Sequence, residues 1–365
     1  MGNLFGQLPD IYNKFLPSEL LQDIPDESMA TCGNCIMVLP EDDQRLGSDF
    51  AYFSKETKCC TFYPALPNYL VGGLLCDDDP RNKEGIEKVK QVISGRKGVT
   101  PHGIFPPRKY WMLYLKGKNI FGKAGTMRCP YYDAKSGGCS IWKYRAVICS
   151  TYFCKHACGI EGRMFWESIQ DYLRFVEDIL TNYVVMESGW PSETVMEGSI
   201  VKYFTRKTEE LTLEEIEDIP LPAKKYSALW DNWRGKEEDF YKRAFEMIGR
   251  LDREKFKEIA GYANDIHIKL ISRRLNDAKN TPIPDILRKN PKLKIYPEGE
   301  KKVKIISPGG MFELSKEIFN QLDIFNGKIN NGEADKLLQE KYKVKLSKEL
   351  LTSLYQNRIL IKAGQ

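Results

Sequence analysis

The apolar residues between positions 161 and 280 follow a helical pattern. In the segment MFWESIQDYLRFVEDILTNYV they recur at spacings of three and four, which places them along one face of an α-helix. This stripe consists of Phe165, Ile169, Tyr172, Val176, Ile179 and Tyr183. A second periodic stretch runs from 223 to 279, and Asp252 is suited to cap a helix within it, so we predict two helices there.

The first 160 residues have a different pattern. Short apolar runs such as NYLVGGLL and KYWMLYLK are separated by Gly, Pro and other turn-forming residues. This pattern predicts loops and short strands around a site, packed on the helical region.

The residue pattern in the last part of the chain predicts a linker followed by a small domain. Four prolines and many lysines in 281–300 are typical of a linker without secondary structure. In 301–365 the pattern gives a strand at VKII, a helix capped by Ser315 and ended by Gly327, two more helices, and a strand at RILIK. We therefore predict an α+β, mainly helical protein with a winged-helix-like C-terminal domain.

Composition and charge argue against several classes of protein but indicate no particular function. The 365 residues contain 55 Lys and Arg against 50 Asp and Glu, and a net charge of +5 gives no support for nucleic-acid binding. No apolar run reaches the roughly 20 residues of a membrane span, and the start lacks the pattern of a secretory signal. We expect a cytoplasmic protein without a membrane partner.

The ten cysteines carry the chemistry of this sequence. All of them lie between Cys32 and Cys158. In a reducing compartment, clustered thiols more often bind metal or act in redox chemistry than form disulfides. A Cys-x-x-Cys pair such as Cys32 and Cys35 can present both sulfurs to one ion. The remaining spacings match neither a zinc ribbon nor a bacterial ferredoxin.

The order of the cysteines resembles the YkgJ-type cysteine-cluster family, which is described as zinc- or iron-chelating. The resemblance rests on a Cys-x-x-Cys, a Cys-Cys, and the run CSIWKYRAVICSTYFC from Cys139 to Cys154. It covers about 30–155 with a long insertion between Cys60 and Cys129, and Ala146 stands where the family has proline. It implies eight candidate metal ligands: Cys32, Cys35, Cys59, Cys60, Cys129, Cys139, Cys149 and Cys154.

The predicted cofactor is an iron–sulfur cluster, in the first place 4Fe-4S, or zinc. Eight thiols exceed the four that one zinc ion or one 4Fe-4S cluster requires, so either two metal centres exist or some of these cysteines are merely buried. We favour the four cysteines from Cys129 to Cys154 as the central set. Arg145 is predicted either to stabilise the sulfurs or to form a surface salt bridge. The glycines Gly137 and Gly138 are expected to turn the chain so that Cys139 returns towards Cys129.

Other reactive residues are assigned structural roles. Cys76 and Cys158 fall outside the family pattern and are predicted to be buried. The histidines His102 and His267 are predicted to be structural, whereas His156 is a further candidate ligand because it lies between two cysteines. No nucleotide-binding loop or nucleophile elbow is present, so no catalytic residue is predicted.

Two functions follow from these predictions. The first is a protein with a Cys-ligated iron–sulfur cluster or zinc that serves redox or catalytic chemistry. The second is an adaptor with a structural metal, whose C-terminal domain recognises a peptide or protein partner. Residues 303–362 resemble PqqD-type modules, and that resemblance implies peptide binding by strand addition.

Overall fold

The computed structural model describes residues 8–27, 35, 37–38, 52–154, 156–206 and 211–364. The fold is α+β and mainly helical, as predicted. The helices are α1 Asp10–Asn13, α2 Ser18–Leu21, α3 Asn68–Leu75, α4 Lys83–Gly95, α5 Arg108–Lys116, α6 Val147–Ser150, α7 Gly159–Glu187, α8 Ser192–Gly198, α9 Ile200–Thr205, α10 Leu213–Ile216, α11 Ala223–Trp230, α12 Glu237–Arg250, α13 Arg253–Ala260, α14 Tyr262–Lys279, α15 Lys316–Gln321, α16 Asn331–Tyr342 and α17 Lys348–Gln356.

The strands are short and antiparallel. They are β1 Leu66–Pro67, β2 Val99–Thr100, β3 Gly103–Ile104, β4 Tyr132–Asp133, β5 Gly138–Cys139, β6 Leu287–Lys289, β7 Lys294–Glu298, β8 Lys302–Ser307, β9 Gly310–Ser315 and β10 Leu360–Lys362. They form two three-stranded sheets, in the orders β1-β3-β2 and β7-β8-β9, and the pairs β4-β5 and β6-β10. In the described part of the chain, no helix is both long enough and apolar enough to cross a membrane.

The central helix α7 buries the predicted apolar stripe. Phe165, Ile169, Tyr172 and Val176 are fully buried in the main core, and α7 packs against α14 along much of its length. The 3.6-residue period therefore predicted both the helix and the face that it buries.

Two runs predicted as strands or loops are helices. NYLVGGLL forms α3, and KYWMLYLK lies in α5. Helix α3 is buried on nearly all sides, so its sequence lacks the polar positions that reveal helical periodicity. It packs closely on α12: a Cβ at Gly72 would lie 1.8 Å from the carbonyl oxygen of Tyr241. The glycine allows this approach, and the prediction of short strands was wrong at both runs.

The stretch 223–279 is more divided than the two predicted helices. The carboxylate of Asp252 accepts a hydrogen bond from the Lys255 N–H, so the predicted cap is confirmed at the start of α13. Gly261 then adopts φ +61° and separates α13 from α14. A positive φ is easy for glycine and ends a helix, and this break was not predicted.

The C-terminal unit, residues 287–362, has its own apolar core. Ser315 caps α15 as predicted, by accepting from the Ile318 N–H at 3.1 Å. Strand β10 is also where the pattern placed it, and it pairs with β6. Strands β7 and β9 were not predicted, so the unit contains more strand than expected.

Strands β6 and β7 lie inside the predicted linker 281–300, and the expectation of irregular chain there was wrong. Proline is tolerated in an edge strand, and Pro297 lies in β7 at the edge of its sheet. The division of the chain into the predicted domains 1–160, 161–280 and 301–365 stays a prediction.

The C-terminal unit contacts the start of α7. Gly159, with φ +58°, lies against the end of α17, where a Cβ would come within 2.1 Å of the Gln356 carbonyl oxygen. Two residues on, Glu161 accepts a 2.8 Å hydrogen bond from the Arg358 guanidinium. The turn that follows Cys158 is thus packed against a segment from the other end of the chain.

Candidate metal centre

Two stretches of chain, 54–64 and 125–154, build the candidate site and are called the cysteine segments. In the second, β4 and β5 form a hairpin in which Tyr132 pairs with Cys139. Gly137 adopts φ +67° in its turn, and the Lys58 ammonium donates to the Gly137 carbonyl at 2.7 Å. The predicted glycine turn is confirmed, and it returns Cys139 towards Cys129.

A backbone hydrogen bond joins the two cysteine segments. The Cys129 N–H donates to the Cys60 carbonyl oxygen at 2.8 Å, while the Cys60 N–H donates to the Thr57 carbonyl at 2.9 Å. These bonds place the adjacent Cys59 and Cys60 beside Cys129, although 68 residues lie between Cys60 and Cys129 in the sequence.

Helix α6 carries Cys149 and is held from behind by α7. Its cap residue, Ala146, has no side chain that can satisfy the first N–H groups. Instead, Glu177 Oε1 accepts from the Val147 N–H at 2.9 Å, and the Tyr12 hydroxyl donates to the same oxygen. A buried carboxylate on α7 therefore orients the turn that presents Cys149.

Five cysteines line one cavity of about 360 Å³, which we call the cysteine cavity. They are Cys59, Cys60, Cys129, Cys139 and Cys149. Aromatic side chains, including Tyr131 and Trp142, make up much of the remaining wall, and Arg145 contributes a guanidinium. The site combines several thiols, one fixed cation and a largely apolar enclosure.

Two of the other predicted ligands, Cys35 and Cys154, are not among the residues that line this cavity. Cys154 is partly buried and hydrogen-bonds with Tyr152, which lines the cavity. Cys35 is partly buried, and its neighbour Met37 packs with Tyr52 and Met311. Cys32 lies outside the described residues.

The remaining predicted roles have mixed outcomes. Cys76 is exposed rather than buried, because it follows the last turn of α3, so that prediction was wrong. Cys158 is partly buried. His102 is buried and bonded to the Val195 carbonyl at 2.9 Å, in line with a structural role. His156 lies against the ring of Phe153.

The thiols strongly influence one another. Burial, followed by repulsion from neighbouring cysteines, raises the pKa of Cys129 and of Cys149. The Cys60 thiol donates to Cys59, which raises the pKa of Cys60 and lowers that of Cys59 to about 7, with further help from Arg145 and Lys58. Without a bound cation, most of these buried thiols are held in the neutral form.

Arg145 is one of the residues that line the cysteine cavity. Its guanidinium carbon lies 3.4 Å from the centre of the Trp142 ring, and its Nε donates to the Trp142 carbonyl at 3.0 Å. Its charge helps to lower the pKa of Cys59 and offsets part of the rise in the pKa of Cys149. Stacking on Trp142 fixes the position of the guanidinium. Its predicted role in stabilising the sulfurs stays a prediction.

The cysteines surround the cavity without converging on a point. In the described ranges, no three side chains of His, Cys, Asp or Glu are placed to hold a single metal ion together. One zinc ion would draw four sulfurs to about 2.3 Å from a common centre. A cluster with several iron atoms takes its thiolates at separate irons, so its ligands stand further apart.

Sequence reasoning missed Glu177 and the aromatic lining. Glu177 occupies a core-facing position of α7, between the buried Leu173 and Leu180 at helical spacings of four and three. A carboxylate on an apolar stripe is costly unless it is hydrogen-bonded, and this signal was present in the sequence. The aromatic lining comes from separate segments that only the fold brings together.

Comparison of the chain with family models, curated proteins and solved structures gives no match. The resemblance to the YkgJ-type family therefore stays a prediction from the cysteine pattern. The candidate site rests on the geometry described above.

Proposed function

We propose that this protein binds an iron–sulfur cluster in the cysteine cavity, with ligands drawn from the five cysteines that line it. The observation that carries the proposal is their convergence on one cavity from two chain segments. Five thiols enclosed in one place repel one another when ionised, and a bound metal group offsets that repulsion.

The residues present fit such a group. Four thiolates hold a 4Fe-4S or 2Fe-2S cluster, and a cation at the centre offsets the repulsion that otherwise keeps these thiols protonated. The cavity is also wider than a closed zinc site, so we favour a 4Fe-4S cluster over zinc. A cytoplasmic location agrees with this proposal, since reduced thiols are available there.

The chain would tune the bound cluster through its surroundings. A cluster supplies one-electron transfer. Aromatic walls exclude water, and the fixed charge of Arg145 stabilises electron-rich sulfur, which raises the reduction potential. Cys32, Cys35 and Cys154, which the family resemblance implies as ligands, are proposed as additional or alternative ligands.

The test is anaerobic purification followed by iron, sulfide and zinc analysis and an absorption spectrum near 400 nm. We expect stoichiometric iron and sulfide in the native protein and large losses in Cys129→Ser and Cys149→Ser. Cys76→Ser is the matched control because that cysteine is exposed and outside the cavity. Zinc in place of iron would favour a single-ion site, and trace amounts of both metals would overturn the proposal.

A second candidate function is an adaptor whose C-terminal unit captures a peptide, with a structural metal. It is supported by the sheet β7-β8-β9, in which β8 is central and the outer strands present edges suited to strand addition. On this proposal, the unit is a winged-helix or PqqD-like module. The exposed side chain of Ile295 on β7 offers such a peptide an apolar contact.

The adaptor function is tested by Ile295→Lys in the full chain, with Leu337→Lys on the exposed face of α16 as the control. Partners recovered by crosslinking should be lost only from the first variant, while metal content stays unchanged in both. Equal recovery from both variants would argue against binding at β7.

A further inference from the structure

A second cavity of about 400 Å³ adjoins the cysteine cavity and shares its wall residues Phe62, Ala146 and Ile148. We define the second cavity by its other lining residues, Ala65, Trp111, Val147, Arg174, Glu177, Ile200, Val201, Phe204 and Thr205. Its volume lies within the range of about 300–1,000 Å³ typical of small-molecule sites.

Aromatic rings from three parts of the chain form its sides. Trp111 on α5 and Phe204 on α9 meet edge to face, with ring centroids 4.7 Å apart. Phe62 lies across from Trp111, with centroids 6.3 Å apart. Rings arranged in this way favour a flat, aromatic occupant.

Glu177 and Trp111 are two of the residues that bring polar groups to this largely apolar lining. Glu177 is only 6% exposed, and its Oε1 already accepts from Tyr12 and Val147, which leaves Oε2 as the acceptor for a ligand. The indole Nε1 of Trp111 is buried and has no hydrogen-bond partner. Buried donors are nearly always satisfied in folded proteins, so this one calls for an acceptor.

The charges favour a neutral occupant. Arg174, exposed on α7, interacts favourably with the Glu177 carboxylate and also lines the second cavity. The Thr205 hydroxyl is engaged with the Val201 carbonyl at 2.9 Å. While Glu177 is ionised, one carboxylate and one guanidinium balance each other, so neither an anion nor a cation is strongly preferred.

We propose that the second cavity binds a small, neutral nitrogen heterocycle, which donates a ring N–H to Glu177 and accepts a hydrogen bond from Trp111. The proposal does not rest on the cluster in the cysteine cavity. The shared wall would nevertheless place the heterocycle next to whatever the five cysteines hold.

Three ring systems of nearly equal shape test the proposal by calorimetric titration of the full chain. Benzimidazole offers both a ring N–H and a ring acceptor, indole offers the N–H alone, and indene offers neither. We expect benzimidazole to bind most tightly and indene roughly tenfold or more weakly, because a buried hydrogen bond to a charged group contributes on that scale.

Two variants localise the binding. Val201→Trp should block the second cavity, because Val201 is 56% exposed and lines it. Met196→Trp is the control, since Met196 is 66% exposed and is not part of the lining. Glu177→Gln keeps an acceptor for Val147 but can turn an amide donor to the cavity, so the preference for benzimidazole over indene should shrink.

Equal affinity for the three probes, no detectable binding, or binding that survives Val201→Trp would overturn the inference. Iron measured on the same preparation keeps the two proposals apart. Heterocycle binding without iron would refute only the cluster, and iron without heterocycle binding would refute only this site.

Discussion

The cysteine segments and the C-terminal unit are held together in different ways. In 125–154 the regular elements are strands of two residues, single 3-10 turns, and the four-residue helix α6. In 287–362, three helices with polar N-caps and a three-stranded sheet close around a continuous apolar core. The first region is organised around a cavity with thiols, and the second around buried hydrocarbon.

This difference indicates where each region gains its stability. Burial of apolar side chains stabilises the C-terminal unit without any bound group. The cysteine segments have few regular hydrogen-bonded elements, and their buried thiols repel one another when ionised. We infer that a bound metal group supplies much of their order, and the following predictions test that inference.

The largest expected effect is that of metal removal. Stripping the protein with an iron chelator under reducing conditions should make the cysteine segments exchange their amide hydrogens rapidly, while the C-terminal unit stays protected. Binding of a structural metal can contribute on the order of 10 kcal/mol to folding. Hydrogen-exchange mass spectrometry makes the comparison, and uniform deprotection of both regions would contradict it.

The second prediction concerns a substitution in the apolar core of the C-terminal unit. Leu360 is fully buried there, so Leu360→Ala should lower the free energy of unfolding by about 3 kcal/mol through lost burial and a cavity. Leu337→Ala, at an exposed position of α16, should change it by about 0.5 kcal/mol or less. Urea denaturation gives both values, and iron content should stay constant; a matching loss of iron would show that the two regions are not independent.

Glu177, which supports the cysteine segments through helix α6, is expected to make the stability of the protein depend on pH. Burial raises the pKa of Glu177 from an ordinary 4.5 to about 7. The folded protein therefore binds this proton more tightly than the unfolded chain, and stability is lost as pH rises from about 4.5 to 7. Between about pH 5 and pH 8, the free energy of unfolding of Glu177→Gln should decline by roughly 2 kcal/mol less than that of the native protein.

Thermal denaturation across that pH range measures this decline. Glu187→Gln, an exposed position on the same helix, is the control and should leave the slope unchanged. If the slope is the same in both variants, Glu177 is ionised normally in the folded protein.

The smallest expected effect is local to the C-terminal unit. Ser315→Ala removes the acceptor for the Ile318 N–H and should lower the free energy of unfolding by about 1 kcal/mol. Ser315→Asp retains an acceptor and should lower it little. Denaturation of the C-terminal unit, followed by exchange at α15, distinguishes the two variants. An equal loss in both would mean that the cap does not stabilise this helix.

The sequence was most informative where one face of an element is polar. Helix α7 and the caps at Asp252 and Ser315 were predicted because periodicity and capping chemistry are local. Helix α3 was missed because it is buried all round, so its pattern has no polar face. Strand β7 was missed because edge strands accept the prolines and lysines that also mark linkers.

The candidate site was predicted as a list of residue types, and the fold selected among them. Spacing and family resemblance nominated eight cysteines, and five of the described ones line a single cavity. The hairpin turn at Gly137 was predictable because a positive φ favours glycine. The pairing of Cys60 with Cys129 could not be predicted, since it depends on a long-range backbone bond.

The contact between Gly159 and the end of α17 has a consequence for biosynthesis. The turn after Cys158 packs against Gln356, which is synthesised 197 residues after Gly159. Domains fold largely in the order of synthesis. We therefore expect the nascent cysteine segments to settle only after the C-terminal unit has been synthesised, so that binding of the proposed metal group would follow the folding of that unit.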